Sequence, residues 1–422
     1  MLPLQSALGI FALIGLAWVV SERRREVPWR RVGIGIALQF ALAVILLKIP
    51  ILTDVFGALN RAVSSLSDAT HDGTAFVFGY LGGDTPPFVT TGAGSTFVLA
   101  FQAFPLILVI SALSGLLFHW NIIQPVVRCF AWVLRRTIGI DGPAGVAAAM
   151  DIFVGMIEAP LVIKPYLRTE TRAGLFVILT TGMATVAGTV MVLYATMLDG
   201  IIPNPLAQIL IASIIATPAA IVIAYVMVPE DPEVLAFKTD APTVILPRQP
   251  GDNMMSVITR STLEGVELVI SIIAMMIVLV ALVSLANSII GLLPDVFGAP
   301  LTLQRMMGWV MAPLAWLIGI PWSEATTAGA LLGTKTVLNE LIAYSDFSKL
   351  PVDALSARSR LIMSYALAGF ANLGSLGIAI GGISAMVPER RAEIVELAPR
   401  ALISGTLATC MSGAMVGLLT WS

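Results

Sequence analysis

Charge is what this chain has least of. Only 12% of its 422 residues are Asp, Glu, Lys or Arg, and its mean hydropathy is +0.92. No soluble domain of this length carries so little charge, so the bilayer is its expected solvent. Cysteine is nearly absent. Cys129 and Cys410 lie far apart in apolar surroundings, which excludes a disulfide framework. The two histidines, His71 and His119, fit no metal-ligand spacing. No basic block points to nucleic acid. HExxH and GxSxG motifs are missing, and the run 329–336, GALLGTKT, fails as a phosphate loop because Thr334 separates the glycine from Lys335. No basic segment precedes the first apolar run, so no cleavable signal is expected.

What is present is a succession of apolar runs. Using a span of ~20 residues, we expect transmembrane helices at residues 4–20, 32–50, 97–120, 175–198, 204–228, 263–293, 361–383 and 401–419. The stretch 53–94 is expected to hold an interfacial helix and an external loop, 121–143 an amphipathic helix on the inner surface, and 229–260 a polar linker. Seventeen of the 24 Lys and Arg residues fall in the loops after the first, third, fifth and seventh spans. That bias places those loops inside and both termini outside. Arg358 and Arg360 fall on the outer side and break the pattern.

Two segments are apolar yet interrupted. Residues 144–168 carry Asp151 and Glu158 together with Gly155, Pro160 and Pro165, and residues 309–344 carry Glu324, Lys335 and Glu340 among Gly and Pro. Interrupted helices at membrane depth survive only where their freed backbone groups are buried in protein or line a cavity. Intramembrane carboxylates mark a solute or ion path by default. We therefore expect two re-entrant hairpins, each followed by two spans and entering from opposite sides. Inverted repeats of this kind point to a secondary transporter with a site near the midplane. The fold class expected is an all-α polytopic membrane protein with eight transmembrane helices and two hairpins. The expected division is residues 1–143 as scaffold, 144–228 as the first repeat, 229–300 as linker and scaffold, and 301–422 as the second repeat.

Each candidate has a plainer reading. Glu158 would otherwise be a buried structural carboxylate, Glu340 an outer-surface residue at the hairpin's end, and Asp151 a partner for an inner-surface arginine such as Arg135 or Arg136. Asn372 and Ser375, three apart on one helix face, would otherwise bond a neighbouring helix for roughly 0.6 kcal/mol. Thr185 alone reads as a packing residue.

Three motifs together carry a resemblance. Residues 155–167, GMIEAPLVIKPYL, resemble the G-Q-[ST]-E-A-P-L-x-I-x-P-Y motif of concentrative nucleoside transporters. Residues 338–344, LNELIAY, are similar to that family's N-E-F-x-A-Y, and residues 368–377, AGFANLGSLG, to its C-G-F-A-N-x-x-S-x-G. The resemblance implies a homotrimer in the cell membrane, with a transport domain that carries nucleoside in an elevator-like movement coupled to Na+ or H+. No other cofactor is implied. It places Glu340, Asn372 and Ser375 at the ribose, with Phe370 beside them. Val190 and the tip Gly155, Met156, Ile157 and Glu158 fall at the base. Asp151, Val154, Thr185 and Val186 fall at the ion site.

Two departures matter. The family's tip offers Gln and Ser or Thr to the base, whereas Met156 and Ile157 cannot make side-chain hydrogen bonds to it, so base preference is expected to be altered. Asp151 stands where sodium-coupled members have Asn, and Thr185 where they have Ser. A carboxylate there can ligate sodium or carry a proton, and the proton is the expectation preferred.

Overall fold

The structure is a computed structural model that describes residues 2–88, 97–140, 142–230, 253–296 and 298–420. Most of the expected linker, 231–252, and the end of the expected external loop, 89–94, lie outside the described residues. Among those described the chain is helical, with one isolated bridge between Val296 and Ala299. Seven helical segments are long and apolar enough to cross a membrane, and an eighth is obtained by counting one bent pair as a span.

The first spans are α1 (Leu2–Val19) and α2 (Trp29–Lys48), followed by α3 (Pro50–Phe78). The short α4 (Leu99–Gln102) leads into α5 (Pro105–His119), and α6 (Ile123–Thr137) is the amphipathic helix. Hairpin one is α7 (Gly142–Met150), a turn, α8 (Glu158–Val162) and α9 (Lys164–Leu167). The fourth span is split into α10 (Arg172–Ala184) and α11 (Gly188–Met197), before α12 (Pro205–Met227) and the long α13 (Met254–Ile290). Hairpin two is α14 (Leu303–Leu317) bent by 119° against α15 (Trp322–Val337). Then come α16 (Glu340–Ser348), α17 (Ala357–Leu367), α18 (Leu373–Met386) and α19 (Arg391–Leu419).

Burial sets an inner bundle of α10, α11, α12 and α19 apart from the other spans. The α12 span is 94% buried and the α13 span 6%. Both are strongly apolar, so their difference is one of partners: α12 packs among α2, α10 and α19, while α13 meets chiefly α5. Apolar residues such as Leu263, Ile270 and Ile277 on α13 stand exposed. In a bilayer such a surface faces lipid or another subunit without penalty. The helices α1 and α2 pack on α19 and α12 from outside.

Two spans expected to be continuous are broken. The fourth stops at Thr185, whose backbone is extended. Thr185 donates its hydroxyl to the Thr181 carbonyl at 2.9 Å, and Gly188 N–H leaves the helical ladder for the Phe153 carbonyl in hairpin one at 3.1 Å. The seventh stops at Leu367 and restarts with Asn372 as N-cap, its Oδ1 accepting from Ser375 N–H at 2.7 Å. Asn372 and Ser375 are thus joined as cap and first turn. The free end of α17 is held from outside: the buried Lys335 ammonium donates to the Ala366 carbonyl at 2.9 Å and to Thr409 Oγ1 at 3.0 Å. A cation at a helix C-terminus complements the dipole there.

The two arginines that break the charge pattern are buried. Arg358 donates to the Gly319 carbonyl, to the Gly417 carbonyl at 2.6 Å and to Ser6 Oγ at 3.1 Å. Arg360 donates to the Leu355 and Pro351 carbonyls at 3.2 and 2.6 Å. Arg358 satisfies main-chain and hydroxyl groups where α1, the α14–α15 turn and α19 meet, and Arg360 satisfies carbonyls in the segment that leads into α17. Replacing Arg358 with Ala leaves its acceptors unpaired. We expect a loss of about 3 kcal/mol or more, read as a lower thermal midpoint in detergent; an unchanged midpoint would refute this role.

A charged cluster ties together segments that the charge bias places inside. Glu22 accepts from Arg172 at 2.7 Å and from Arg400, and Arg172 also reaches Glu396 at 2.6 Å. Arg390 holds the Leu167 and Glu170 carbonyls at the exit of hairpin one. Burial alone would raise the Glu22 carboxyl, but the bond from Arg172 and the charges of Arg172, Arg400 and Arg23 outweigh it and hold the group below its ordinary 4.5. The folded value is the lower one. Its stabilisation is therefore complete above pH about 4.5 and disappears as pH falls through the folded value. The thermal midpoint of Glu22→Gln is expected to lie below wild type at pH 7 and to converge with it in acid. Parallel curves would contradict this.

Candidate functional site

Two clusters of buried polar groups lie where the helices break. The first is built on the turn of hairpin one. After Met150 the chain turns tightly, with Phe153 and Val154 N–H both bonded to the Met150 carbonyl. This presents Asp151, fully buried, to α10. Thr181 donates to Asp151 Oδ2 at 2.6 Å, while Asp151 Oδ1 is buried with no hydrogen-bond partner. Neither Arg135 nor Arg136 supplies an ion pair to it among the described residues. Thr185 lies one turn beyond Thr181, and Val186 N–H donates to Ser213 Oγ at 3.2 Å. A side chain at Gly188 would place its Cβ 2.8 Å from the Phe153 carbonyl, so the turn and the break approach too closely for anything but glycine. A buried carboxylate with an orphaned oxygen costs several kcal/mol unless a cation or a proton neutralises it. The donor set, oxygen only, suits a hard cation such as sodium as well as a proton.

The second cluster spans the two repeats. Glu340 opens α16 and is buried. Its Oε1 accepts from the Tyr194 hydroxyl of α11 at 2.6 Å, and its Oε2 from Asn372 Nδ2 of α18 at 2.8 Å. Asn372 can reach it because its own Oδ1 is fixed by Ser375 N–H. Tyr194 stacks on Tyr344 with ring centroids 5.0 Å apart, and Tyr344 is anchored to the Ser364 carbonyl at 2.8 Å. Val190 lies one turn before Tyr194 on α11 and is buried, and Phe370 is half-buried in the break before Asn372.

The tip of hairpin one packs against helices of both repeats. A Cβ at Gly182 would lie 2.9 Å from Met156 Cβ, and the Ile157 side chain fills the notch over Gly382 of α18. The two apolar tip residues therefore seat on glycines of both repeats. Gly188, bonded to the first cluster, precedes Tyr194 by six residues, roughly 9 Å along α11.

Of the residues singled out in the sequence, the structure groups Asp151 and Thr185 at the first break, next to Val154 and Val186, and Glu340, Asn372 and Ser375 at the second. It does not bring Glu158 to Glu340. Glu158 is exposed, its carboxylate folded over Gly155, and no hydrogen bond joins the two carboxylates among the described residues. Sequence reasoning missed Thr181, Ser213 and Tyr194. Two of them were reachable by helical spacing: Thr181 is four residues before Thr185, and Tyr194 four after Val190.

Broken spans, a sharply bent hairpin and buried acidic groups at the breaks define a membrane transporter of the inverted-repeat kind. A family model described as the C-terminus of the Na+ dependent nucleoside transporter matches residues 208–417, its N-terminal counterpart matches 8–81, and a nucleoside recognition (Gate) model matches 100–200. The nucleoside permease NupC of Helicobacter pylori is 31% identical, over 98% of this chain and 97% of that one. An uncharacterized transporter of Bacillus subtilis, YutK, is 35% identical over 97% of this chain and 98% of its own. The structure of CNTnw in an inward-facing substrate-bound state superposes with a TM-score of 0.87 at 34% identity, covering 99% of this chain and 98% of that one. The chain belongs to the concentrative nucleoside transporter family. It is a polytopic membrane transporter and not an enzyme.

Proposed function

We propose that this protein imports nucleosides across the cytoplasmic membrane by ion-coupled symport. One observation carries the reading: a buried carboxylate, Glu340, is shared by donors from both repeats, Tyr194 and Asn372. Two bonds leave acceptor capacity on a carboxylate that can take about four, and sugar hydroxyls are donors of the right kind. In this reading Glu340, Asn372 and Ser375 hold the sugar beside Phe370, and Val190 with Gly155, Met156, Ile157 and Glu158 receives the base. The buried, apolar Met156 supports an altered, less discriminating base preference.

Coupling is assigned to Asp151, Val154, Thr185 and Val186. The orphaned Asp151 oxygen supports the proton as coupling ion. The family description supports sodium as the second reading. The transporter works as an elevator within a homotrimer, the inner bundle moving against α5 and α13. The packing of α1 on α19 and of α2 on α12 supports counting both with the moving body. Both termini lie outside.

The test is uptake of labelled purine and pyrimidine nucleosides into proteoliposomes under separately imposed proton and sodium gradients. Saturable uptake of several nucleosides is expected. Strong selectivity for one base would contradict the reading of the tip, and transport of none would end the nucleoside assignment.

A further inference from the structure

Tyr194 is assigned no role by the resemblance, yet it is the shortest polar contact Glu340 makes. We propose that Tyr194 is a positioning residue that sets how strongly the site tells a ribose from a deoxyribose. The inference rests on the reading of Glu340 as the sugar acceptor.

Its physical basis is the rigidity of the phenol. The Tyr194 side chain is buried, its ring is packed on Tyr344, and Tyr344 is itself fixed by the Ser364 carbonyl. A ring held this way cannot swing aside to let a ligand take its place. At 2.6 Å its bond to Oε1 has the length of a charge-assisted O–H···O contact. Asn372, fixed by its capping bond to Ser375, pins Oε2. The carboxylate plane is thus set by two donors on different repeats, and its remaining lone pairs point in fixed directions. A sugar hydroxyl meeting such an oxygen makes a well-aligned bond, and an analogue lacking that hydroxyl leaves the oxygen short of a partner. Discrimination of this kind grows with how firmly the acceptor is held. Without the Tyr194 hydroxyl the carboxylate is pinned at one oxygen only and can turn to suit either sugar.

The test is Tyr194→Phe, which keeps the ring and its packing. Binding of one ribonucleoside and of its 2′-deoxy and 3′-deoxy counterparts is measured on the purified full-length protein in nanodiscs. Tyr365→Phe serves as control. It also removes a hydroxyl from a buried tyrosine, but one bonded to Gln208 and not to Glu340. Tyr194→Phe is expected to lower the ribose preference for at least one hydroxyl about tenfold, while Tyr365→Phe keeps the wild-type ratio. An unchanged ratio in Tyr194→Phe would overturn the proposal. So would a raised ratio, because it would mean that the hydroxyl competes with the sugar. A fall of similar size in Tyr365→Phe would reduce the effect to general loosening and also overturn it. If the wild type binds ribo- and deoxynucleosides equally, this inference fails while the transport reading stands. If it binds no nucleoside, both fail.

Discussion

Glu340→Gln is expected to lower nucleoside uptake by roughly 100-fold or more while leaving the protein folded. The substitution keeps shape and removes charge. Asn372 Nδ2 and the Tyr194 hydroxyl both donate to this group. An amide presents one acceptor oxygen and one NH2, so one of these donors faces another donor. Bonds to a charged group are worth about 1.5–3 kcal/mol each. Losing two such bonds at the sugar, or misaligning them, corresponds to about 3–6 kcal/mol, a factor of roughly 10² to 10⁴. Stability moves differently. A buried charge is costly to hold, and a neutral isostere is often tolerated or even stabilising. Tracer uptake normalised to membrane-inserted protein, with thermal midpoints alongside, separates the two effects. Uptake within a few-fold of wild type would remove Glu340 from the site. A collapsed midpoint would make it a structural residue.

Asp151→Asn is expected to abolish accumulation driven by a pH gradient while sparing exchange of substrate at equal concentrations. Asp151 is fully buried and has Thr181 as its hydrogen-bond partner at one oxygen only. The amide keeps an acceptor for Thr181 but cannot take up a proton. One charge crossing ~100 mV supplies roughly 2.3 kcal/mol, and a tenfold gradient adds about 1.4 kcal/mol. Together these support accumulation of roughly several hundred-fold, and uncoupling returns the ratio to about one. Full pH-driven accumulation by the variant would show that the coupling proton is carried elsewhere. Sodium-driven accumulation by the wild type at constant pH, indifferent to a protonophore, would show instead that Asp151 is a sodium ligand.

The succession of spans was legible in the sequence because hydropathy is written residue by residue. The hairpins were legible because glycine, proline and carboxylates interrupt apolar runs. The breaks in the fourth and seventh spans were not. Residues 185–187 and 368–371 are as apolar or small as their surroundings, and what stops each helix is a tertiary bond: Gly188 to Phe153 in one case, Lys335 to Ala366 in the other. Tyr194 was hidden for a similar reason. A single tyrosine in an apolar helix reads as core until its hydroxyl is seen to meet a carboxylate from the other repeat. Glu158 shows the opposite case. Its motif is strong, but no pattern of spacing tells that the carboxylate lies exposed and folded over Gly155. Arg358 and Arg360 read as loop charges in the sequence, and only the structure shows them bonding main-chain carbonyls.

The most direct measurement is concentrative uptake by the purified protein alone. Proteoliposomes are loaded at high buffering capacity, and a labelled ribonucleoside is added outside together with an imposed, inwardly directed ion gradient. The account predicts internal nucleoside rising well above the external level and falling back when the gradient is dissipated. Nucleoside that only equilibrates, or that never enters although the protein is folded and inserted, would contradict it.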